Sequence, residues 1–185
     1  GTGIHYVILV RHGIYDLDTT VTDDAKGNGL NKLGHEQARL AGRRLAALPV
    51  KLHRLVSSDS LRAVQTADDI GAIVRMTPER DSLIHECTPT SDRADYMRNH
   101  TPEDIALCDG NLNAAWAKYM TPTPEADTHD VLVCHGNVIR WWVSKTLGND
   151  TAHWTRMTIG NASLTVVTVT PDGSTRLAMY SDVGH

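Results

Sequence analysis

Two histidines in this sequence share one local setting, at the end of an apolar run. His12 follows residues 4–10 and Arg11, and His135 follows residues 131–134. A continuous apolar, β-branched run is typical of a strand that is buried on both faces. The carboxyl ends of parallel strands meet at one edge of a sheet, where ligands bind. The pattern therefore predicts that His12 and His135 lie close together at that edge.

Two arginines are expected at the same place. Arg11 precedes His12, and Arg62 lies in the first turn of a helix predicted for residues 61–74. Guanidinium groups bind phosphate oxygens in bidentate fashion, and a helix N-terminus adds a positive dipole. Phosphoryl transfer needs positive charge on the equatorial oxygens and a nucleophile in line with the leaving oxygen. We therefore predict a phosphate site formed by these two arginines with His12 and His135.

The residue types also suggest how a phosphoryl group could be transferred. His12 is a competent nucleophile if a carbonyl near Gly13 holds the proton on one ring nitrogen and leaves the other bare. An alkoxide leaving group needs a proton, and our candidate donor is Glu86, as an acid with a raised pKa. Ser58 and Asn137 lie at the same predicted edge and are additional candidate site residues.

The other histidines show no metal-ligand spacing, so neither a metal nor a cofactor is expected.

The elements that must position these residues alternate between strand and helix. The hydrophobic pattern predicts strands and helices in the following order: strand 4–10, helix 33–48, strand 52–56, helix 61–74, strand 131–134, a helix to residue 147, and a hairpin of 163–170 with 175–180. This order predicts an α/β fold, a three-layer sandwich in which a mixed, mainly parallel sheet has helices on both faces. We expect a single domain, 1–185, with a lid or specificity excursion at about 88–128 that contains one helix near 112–120.

Bulk properties exclude several kinds of partner. A formal net charge of −4 gives no reason to expect nucleic acid, and no apolar run is long enough to cross a membrane. Cys87, Cys108 and Cys134 cannot all pair and have no C-x-x-C spacing, which favours a reducing compartment. We therefore expect a cytoplasmic protein. A targeting segment upstream of residue 1 is the alternative that stays open. On the last long helix, one of Trp141 and Trp142 should pack inward; for the other, about 100° further round, core packing is the default expectation and an exposed position at a dimer surface is the alternative.

Several blocks together resemble the phosphoglycerate mutase-like histidine phosphatases. They are Val10-Arg11-His12-Gly13, Ser58-x-x-x-Arg62-Ala63-x-Gln65-Thr66-Ala67, Glu86 and Cys134-His135-Gly136-Asn137. Within that superfamily the chain looks most like the mitochondrial serine/threonine protein phosphatase branch, through blocks such as Leu33-Gly34-His35-Glu36-Gln37-Ala38 and Gly160-Asn161-Ala162-Ser163. The similarity covers most of the chain outside 88–128.

The resemblance implies a role for each matched residue. His12 would be the nucleophile, Glu86 the proton donor, and Arg11, Arg62 and His135 the phosphate ligands. It also implies a homodimer and a metal-independent phosphatase that acts on phosphoserine or phosphothreonine in proteins. Ile14-Tyr15-Asp16 replaces the Glu-Ser that usually follows the triplet in mutases, so mutase activity is not expected. Cys87 stands where that branch tends to have glycine.

Three other interpretations stay open at this point. Cys134 and Arg140 have the C-x5-R spacing of cysteine-based phosphatases, although bulky Val138 and Ile139 are unfavourable in a phosphate-binding loop. The domain could be a phosphate-dependent binding module without turnover, although keeping Glu86 argues against this. It could also hydrolyse small phosphomonoesters, such as sugar or metabolite phosphates, and not phosphoproteins.

Overall fold

A computed structural model describes residues 2–185 of the chain. Its helices and strands follow one another in this order: β1 (His5–Arg11), α1 (Lys32–Ala46), β2 (Arg54–Ser57), α2 (Leu61–Val74), β3 (Glu79–Arg80), α3 (Ala94–Met97), α4 (Pro102–Tyr119), β4 (Thr128–Cys134), α5 (Gly136–Thr146), β5 (Leu164–Val169) and β6 (Thr175–Asp182). Two 3-10 helices, Ser82–Ile84 and Thr151–Arg156, lie between them.

The six strands form one mixed sheet in the order β3-β2-β4-β1-β5-β6. The first four in this order pair in parallel, and β5 and β6 are antiparallel additions at one side. The predicted α/β class, with a mainly parallel sheet and a terminal hairpin, is confirmed. Because β1 and β4 are central, their carboxyl ends lie in the middle of one sheet edge.

The two faces of the sheet are covered by different helices. Successive side chains of β1 point to opposite faces, as the two-residue period of a strand requires. Val7 and Leu9 pack in a core with residues of α4 and α5, whereas Ile8 and Val10 pack with residues of α1 and α2. Both faces of the strand are therefore apolar, which explains its continuous apolar run.

The default expectation for the tryptophan pair is confirmed, because Trp141 and Trp142 are both buried, and the alternative of one exposed ring is not met. The indole Nε1 of Trp142 donates to the carbonyl of Leu112 in α4, 3.3 Å away, and the Lys145 ammonium lies 5.6 Å from the ring of Trp141. A helix packed only on the sheet would leave one side free, but α4 and Trp154 of the second 3-10 helix join the same core. The excursion thus covers the side of α5 that the sheet does not reach.

The excursion itself is more regular than expected. Its main helix α4 begins at Pro102 and ends at Tyr119, about ten residues earlier at its start than the predicted helix. Thr101 caps it, since its side chain accepts from the backbone N–H of Asp104 and the helix opens with proline. The early turns were missed because they carry Glu103, Asp104 and exposed Leu107 without a clear apolar period.

Within the described residues, no helix is long and apolar enough to span a membrane.

The cysteine expectation is also corrected, because Cys87 and Cys108 form a disulfide with a Cα–Cα distance of 5.7 Å. The two residues are 21 apart in sequence, and α4 brings Cys108 back over the segment that holds Cys87. Sequence spacing gave no sign of this pairing. Cys134 stays a free, buried thiol at the end of β4.

Candidate active site

Three strand ends bring the predicted site residues together. Arg11 of β1 is in register with Cys134 of β4, and the backbone N–H of His12 donates to the Cys134 carbonyl at 3.1 Å. The N–H of Ser58, just after β2, donates to the Val133 carbonyl at 2.9 Å. The ring centroids of His12 and His135 consequently lie 5.1 Å apart.

The His12 ring is held in one orientation by its own turn. Its Nδ1 lies 2.8 Å from the carbonyl oxygen of Gly13, the acceptor that the sequence suggested. A carbonyl only accepts, so Nδ1 carries the proton and Nε2 is left bare. Burial lowers the pKa of His12 to about 3, helped by the positive charges of Arg62 and Arg11 and opposed by the Gly13 carbonyl. The imidazole is therefore neutral and nucleophilic at neutral pH.

Close packing against α1 fixes that turn. A Cβ on Gly13 would come within 2.5 Å of the Gly34 carbonyl oxygen, and a Cβ on Gly34 would overlap the carbonyl of Ile14. The backbone N–H of Gly13 also donates to Thr66 Oγ1 in α2 at 3.0 Å. Glycine at both positions is required by this close approach of two backbones.

Arg62 lies in the first turn of α2 and is only 5% exposed. Its guanidinium stacks on Tyr15, 4.9 Å from the ring centroid, and Nη1 lies 3.4 Å from Asp24 Oδ1. Arg11 is anchored from the other side through a hydrogen bond of Nη1 to the Ile159 carbonyl. Burial lowers the pKa of Arg11 from its ordinary value, but an arginine stays charged at any physiological pH.

His135 is fully buried, and a pair of serine hydroxyls meets one of its nitrogens. Nε2 lies 2.8 Å from Ser58 Oγ and 3.4 Å from Ser60 Oγ. Burial lowers the pKa of His135 well below its ordinary value, and the neighbouring His12 and Arg62 act in the same direction. The ring is therefore neutral, and its orientation is set by the loop after β2.

Glu86 follows the 3-10 helix Ser82–Ile84 and reaches the same place. Its Oε2 accepts from the backbone N–H of Asn137 at 3.4 Å, and its Oε1 is buried. Burial raises the pKa of Glu86 to about 7, against the opposing effects of that N–H and of Arg62, Arg11 and Arg140. A carboxyl group with this pKa is protonated in a useful fraction at neutral pH and can act first as acid and then as base.

Unpaired polar atoms mark the centre of the cluster. In the part of the chain that the structure describes, seven buried side-chain nitrogen or oxygen atoms have no hydrogen-bond partner in the protein. Four of the seven belong to the cluster: Nε of Arg11, Nε of Arg62, Nδ1 of His135 and Oε1 of Glu86. Buried polar groups are normally satisfied, so such a concentration is typical of a site for a polar ligand.

The cysteine-based alternative does not fit this geometry. Cys134 is fully buried, and burial raises the pKa of its thiol above the ordinary value, which disfavours a thiolate. The Arg140 guanidinium is bound by other groups, because it donates to Asn137 Oδ1 and to the Met157 carbonyl and stacks on Trp154. Cys134 and Arg140 therefore have the C-x5-R spacing without forming the thiolate and guanidinium site of a cysteine-based phosphatase.

Some site residues were missed by the sequence reasoning. Tyr15 and His12 make a T-shaped ring contact with 5.5 Å between their centroids. The Arg62 guanidinium stacks on the Tyr15 ring. The aromatic character of Tyr15, three residues after His12, was the available signal, but the segment was interpreted only as a departure from mutases. Asn161 was noted in a similar block without a role, and its Nδ2 donates to the His12 carbonyl at 3.2 Å.

A cleft of about 410 Å³ opens beside Glu86. One wall is the segment after the first 3-10 helix and the other is α4; its lining includes His85, Cys87, His100, Asp104, Cys108 and Asn111. His85 also borders a second cleft of about 290 Å³, which is lined by Asp23, Asp24 and Asp59. A leaving group that takes its proton from Glu86 would lie at the entrance of the first cleft.

Comparison with known proteins supports the assignment of the fold. Residues 7–182 match the model of the histidine phosphatase superfamily (branch 1). The chain is 32% identical over 191 residues to the mitochondrial serine/threonine-protein phosphatase Pgam5 of Caenorhabditis elegans, covering 100% of this chain and 65% of that protein. It is 30% identical over 186 residues to PGAM5 of Homo sapiens, covering 97% and 63%. The chain therefore spans slightly less than two thirds of these relatives.

Solved structures have the same fold. A putative alpha-ribazole-5'-P phosphatase from Escherichia coli superposes with a TM-score of 0.73 at 12% identity, covering 97% of each chain. The phosphoglycerate mutase of Plasmodium falciparum superposes with a TM-score of 0.69 at 23% identity, covering 99% of this chain and 94% of that one. At these identities the likeness establishes the fold alone.

Proposed function

This chain belongs to the histidine phosphatase superfamily, and on that premise we propose that it hydrolyses phosphomonoesters through a phosphohistidine at His12. The observation that carries the proposal is the convergence of unpaired polar atoms from Arg11, Arg62, His135 and Glu86 around a neutral, oriented His12. These groups supply what a phosphoryl dianion needs: fixed donors for its oxygens, a bare nucleophilic nitrogen and an acid.

In the first half-reaction Nε2 of His12 attacks phosphorus. The N–P bond forms as the bond to the leaving oxygen breaks, and Glu86 gives its proton to that oxygen. In the second half-reaction Glu86, now a carboxylate, takes a proton from water as the water oxygen attacks phosphorus and the N–P bond breaks. Inorganic phosphate leaves, and Glu86 is protonated again. Arg11, Arg62 and His135 stabilise the charge on the equatorial oxygens in both steps.

As substrates we propose phosphoserine or phosphothreonine in proteins. The support is that the relatives of about 31% identity are named serine/threonine-protein phosphatases. The cleft beside Glu86 is open, with room for a peptide segment next to the phosphorylated residue, and His85, Asp104 and Asn111 in its lining offer hydrogen-bonding groups. A small-molecule phosphomonoesterase is the second candidate, favoured by the buried position of His12. A binding module without turnover is less consistent with a carboxylic acid of raised pKa at the site.

Three further expectations are part of the proposal. Residues 1–185 would be one domain, in which the excursion at about 88–128 sets specificity through the cleft that α4 lines. The homodimer implied by the resemblance would be tested by size exclusion with light scattering. The cytoplasmic location was expected from three cysteines that cannot all pair and have no C-x-x-C spacing. That basis is weakened because Cys87 and Cys108 are bonded, and the relatives are named as mitochondrial proteins. Subcellular fractionation would decide between these compartments.

Hydrolysis of p-nitrophenyl phosphate in EDTA tests the proposal. We expect the wild type and Cys134→Ser to be active and His12→Ala to be inactive, with His12→Ala folded by circular dichroism. Loss of activity only in Cys134→Ser would move the nucleophile to the second motif. An inactive wild type that still binds a phosphoserine peptide would instead support a binding module. A panel of phosphopeptides and sugar phosphates then separates the two substrate classes.

A further inference from the structure

The acid Glu86 lies on a segment that α4 holds at both ends. Near the start, the Asp81 carboxylate caps the 3-10 helix and accepts hydrogen bonds from Tyr119 and Lys118, both in the last turn of α4. Past the end, Cys87 is bonded to Cys108 in the middle of the same helix. The position of Glu86 therefore depends on a helix that contributes nothing else to the phosphate cluster.

The two ends of this segment are not fastened equally. The Asp81 end has the two side-chain hydrogen bonds and a backbone one, from its N–H to the Ser57 carbonyl at 2.9 Å. Cys87 itself has the disulfide and one hydrogen bond, from Asn137 Nδ2 to its carbonyl at 2.8 Å. Three residues further on, Thr90 donates through its backbone N–H and its hydroxyl to the Asp109 carboxylate of α4. Asn137 also supplies the backbone N–H that meets Glu86 at 3.4 Å. Without the disulfide, Asn137 would be the one hydrogen-bond partner left to Cys87 itself, and the next attachment to α4 would be at Thr90, four residues from the acid.

The disulfide is within reach of small reductants. Cys108 is buried on the inner side of α4, but Cys87 is partly exposed, and both cysteines line the cleft of about 410 Å³ beside Glu86. A dithiol could attack there and leave as a cyclic disulfide while both cysteines become thiols, so that two electrons and two protons pass to the protein. The same cleft would receive the leaving group.

We propose that the Cys87–Cys108 disulfide is a positioning element for Glu86, so that its reduction selectively slows substrates whose leaving group must be protonated. The inference rests on the proposed function. Displacing a catalytic group by about 1 Å costs up to about 100-fold in rate. A phosphoserine alkoxide needs the acid, whereas p-nitrophenolate is a good leaving group without it. Reduction therefore changes the ratio of the two activities and not the activity as a whole.

The experiment compares oxidised wild type, wild type treated with dithiothreitol, and Cys108→Ala with and without dithiothreitol. For each, kcat/KM is measured on one phosphoserine peptide and on p-nitrophenyl phosphate. We expect the peptide-to-nitrophenyl ratio to fall at least about fivefold on reduction. Cys108→Ala should match reduced wild type and should not respond to dithiothreitol. The buried Cys108 is replaced by alanine so that no new polar group enters the core.

Two kinetic results would overturn the inference. One is an unchanged ratio after reduction; the other is an equal fall on both substrates, which indicates a general loss of structure.

A second measurement does not depend on turnover and therefore separates this inference from the proposed function. The chemical shift of the Glu86 carboxyl carbon is followed by ¹³C NMR across pH. Its titration midpoint should move toward the ordinary glutamate value on reduction, even if the oxidised protein hydrolyses neither substrate. An unmoved midpoint would show that the disulfide does not position the acid.

Discussion

The Nδ1 of His12 lies 2.8 Å from the carbonyl oxygen of Gly13, its neighbour in sequence. This contact leaves Nε2 bare, on the side of the ring away from that carbonyl. The tautomer that the proposed mechanism needs is thus set by the backbone itself, and the glycine that supplies the carbonyl is required by its contact with Gly34. One local turn therefore couples the chemistry of His12 to the packing of α1.

The first prediction concerns pH. His12 has a pKa of about 3 and must be neutral, and Glu86 has a pKa of about 7 and must be protonated to assist departure of an alkoxide. For a phosphoserine peptide, kcat/KM should therefore fall as pH rises through about 7. With p-nitrophenyl phosphate, which shares the phosphate titration but needs no acid, this alkaline decline should be absent. The same decline with both substrates would contradict the role of Glu86.

The second prediction concerns the geometry of Arg62. Arg62→Lys keeps the positive charge but loses the planar donors that stack on Tyr15 and bind two oxygens at once. We expect kcat/KM to fall about 100-fold, a loss of about 2.7 kcal/mol of transition-state stabilisation. Arg54→Lys is the matched control, since Arg54 pairs with Glu79 at the surface. Retention of activity in Arg62→Lys would remove Arg62 from the phosphate site.

The third prediction concerns the free energy of unfolding. The pKa of Glu86 is raised in the folded protein from an ordinary value of 4.5 to about 7, so folding favours the protonated form. The resulting stability is present at low pH and is lost as pH rises from about 4.5 through about 7. Glu86→Gln cannot ionise and should be more stable than wild type at pH 8, by about 1–3 kcal/mol. Denaturant unfolding at pH 4 and pH 8 measures this, and equal stability at pH 8 would refute it.

The fourth prediction compares two glycines in helices. Gly34→Ala drives a Cβ into the Ile14 carbonyl and should destabilise the fold by at least about 1–3 kcal/mol and lower activity through the His12 turn. Gly110, inside α4, is exposed, and a Cβ at this position would have no neighbour within 4 Å, so Gly110→Ala should stabilise by about 0.5–1 kcal/mol. Thermal and denaturant unfolding of both variants test the pair. Equal effects of the two substitutions would contradict the close approach at Gly34.

The sequence was informative where local pattern and topology coincide. Residues 4–10 and 131–134 are apolar almost throughout because β1 and β4 are central and buried on both faces, so the run itself located the strands. Parallel pairing then placed the two histidines at one edge. Arg62 could be placed because helix α2 begins directly after the loop that follows β2. These inferences needed only periodicity and the direction of the chain.

Contacts between distant segments could not be inferred in this way. The disulfide depends on how α4 folds back over residue 87, and no local pattern specifies that. Core packing was the default expectation for both tryptophans, but the segments that bury them could not be named, since α4 and the second 3-10 helix reach α5 from distant parts of the chain. The raised pKa of Glu86 was expected from its proposed task, but the burial that raises it and the arginines that oppose it come from segments far apart in the chain.

Trapping the phosphorylated enzyme tests the central claim most directly. The protein is mixed with a phosphoserine peptide, quenched within milliseconds in base, in which phosphohistidine survives, and digested with trypsin. Cleavage after Arg11 and Lys26 releases residues 12–26, which contain a single histidine, His12, and no cysteine. We expect an acid-labile phosphoryl group on this peptide in wild type and Cys134→Ser, and none in His12→Ala. A phosphoryl group on residues 119–140, which hold Cys134 and His135, would contradict the account.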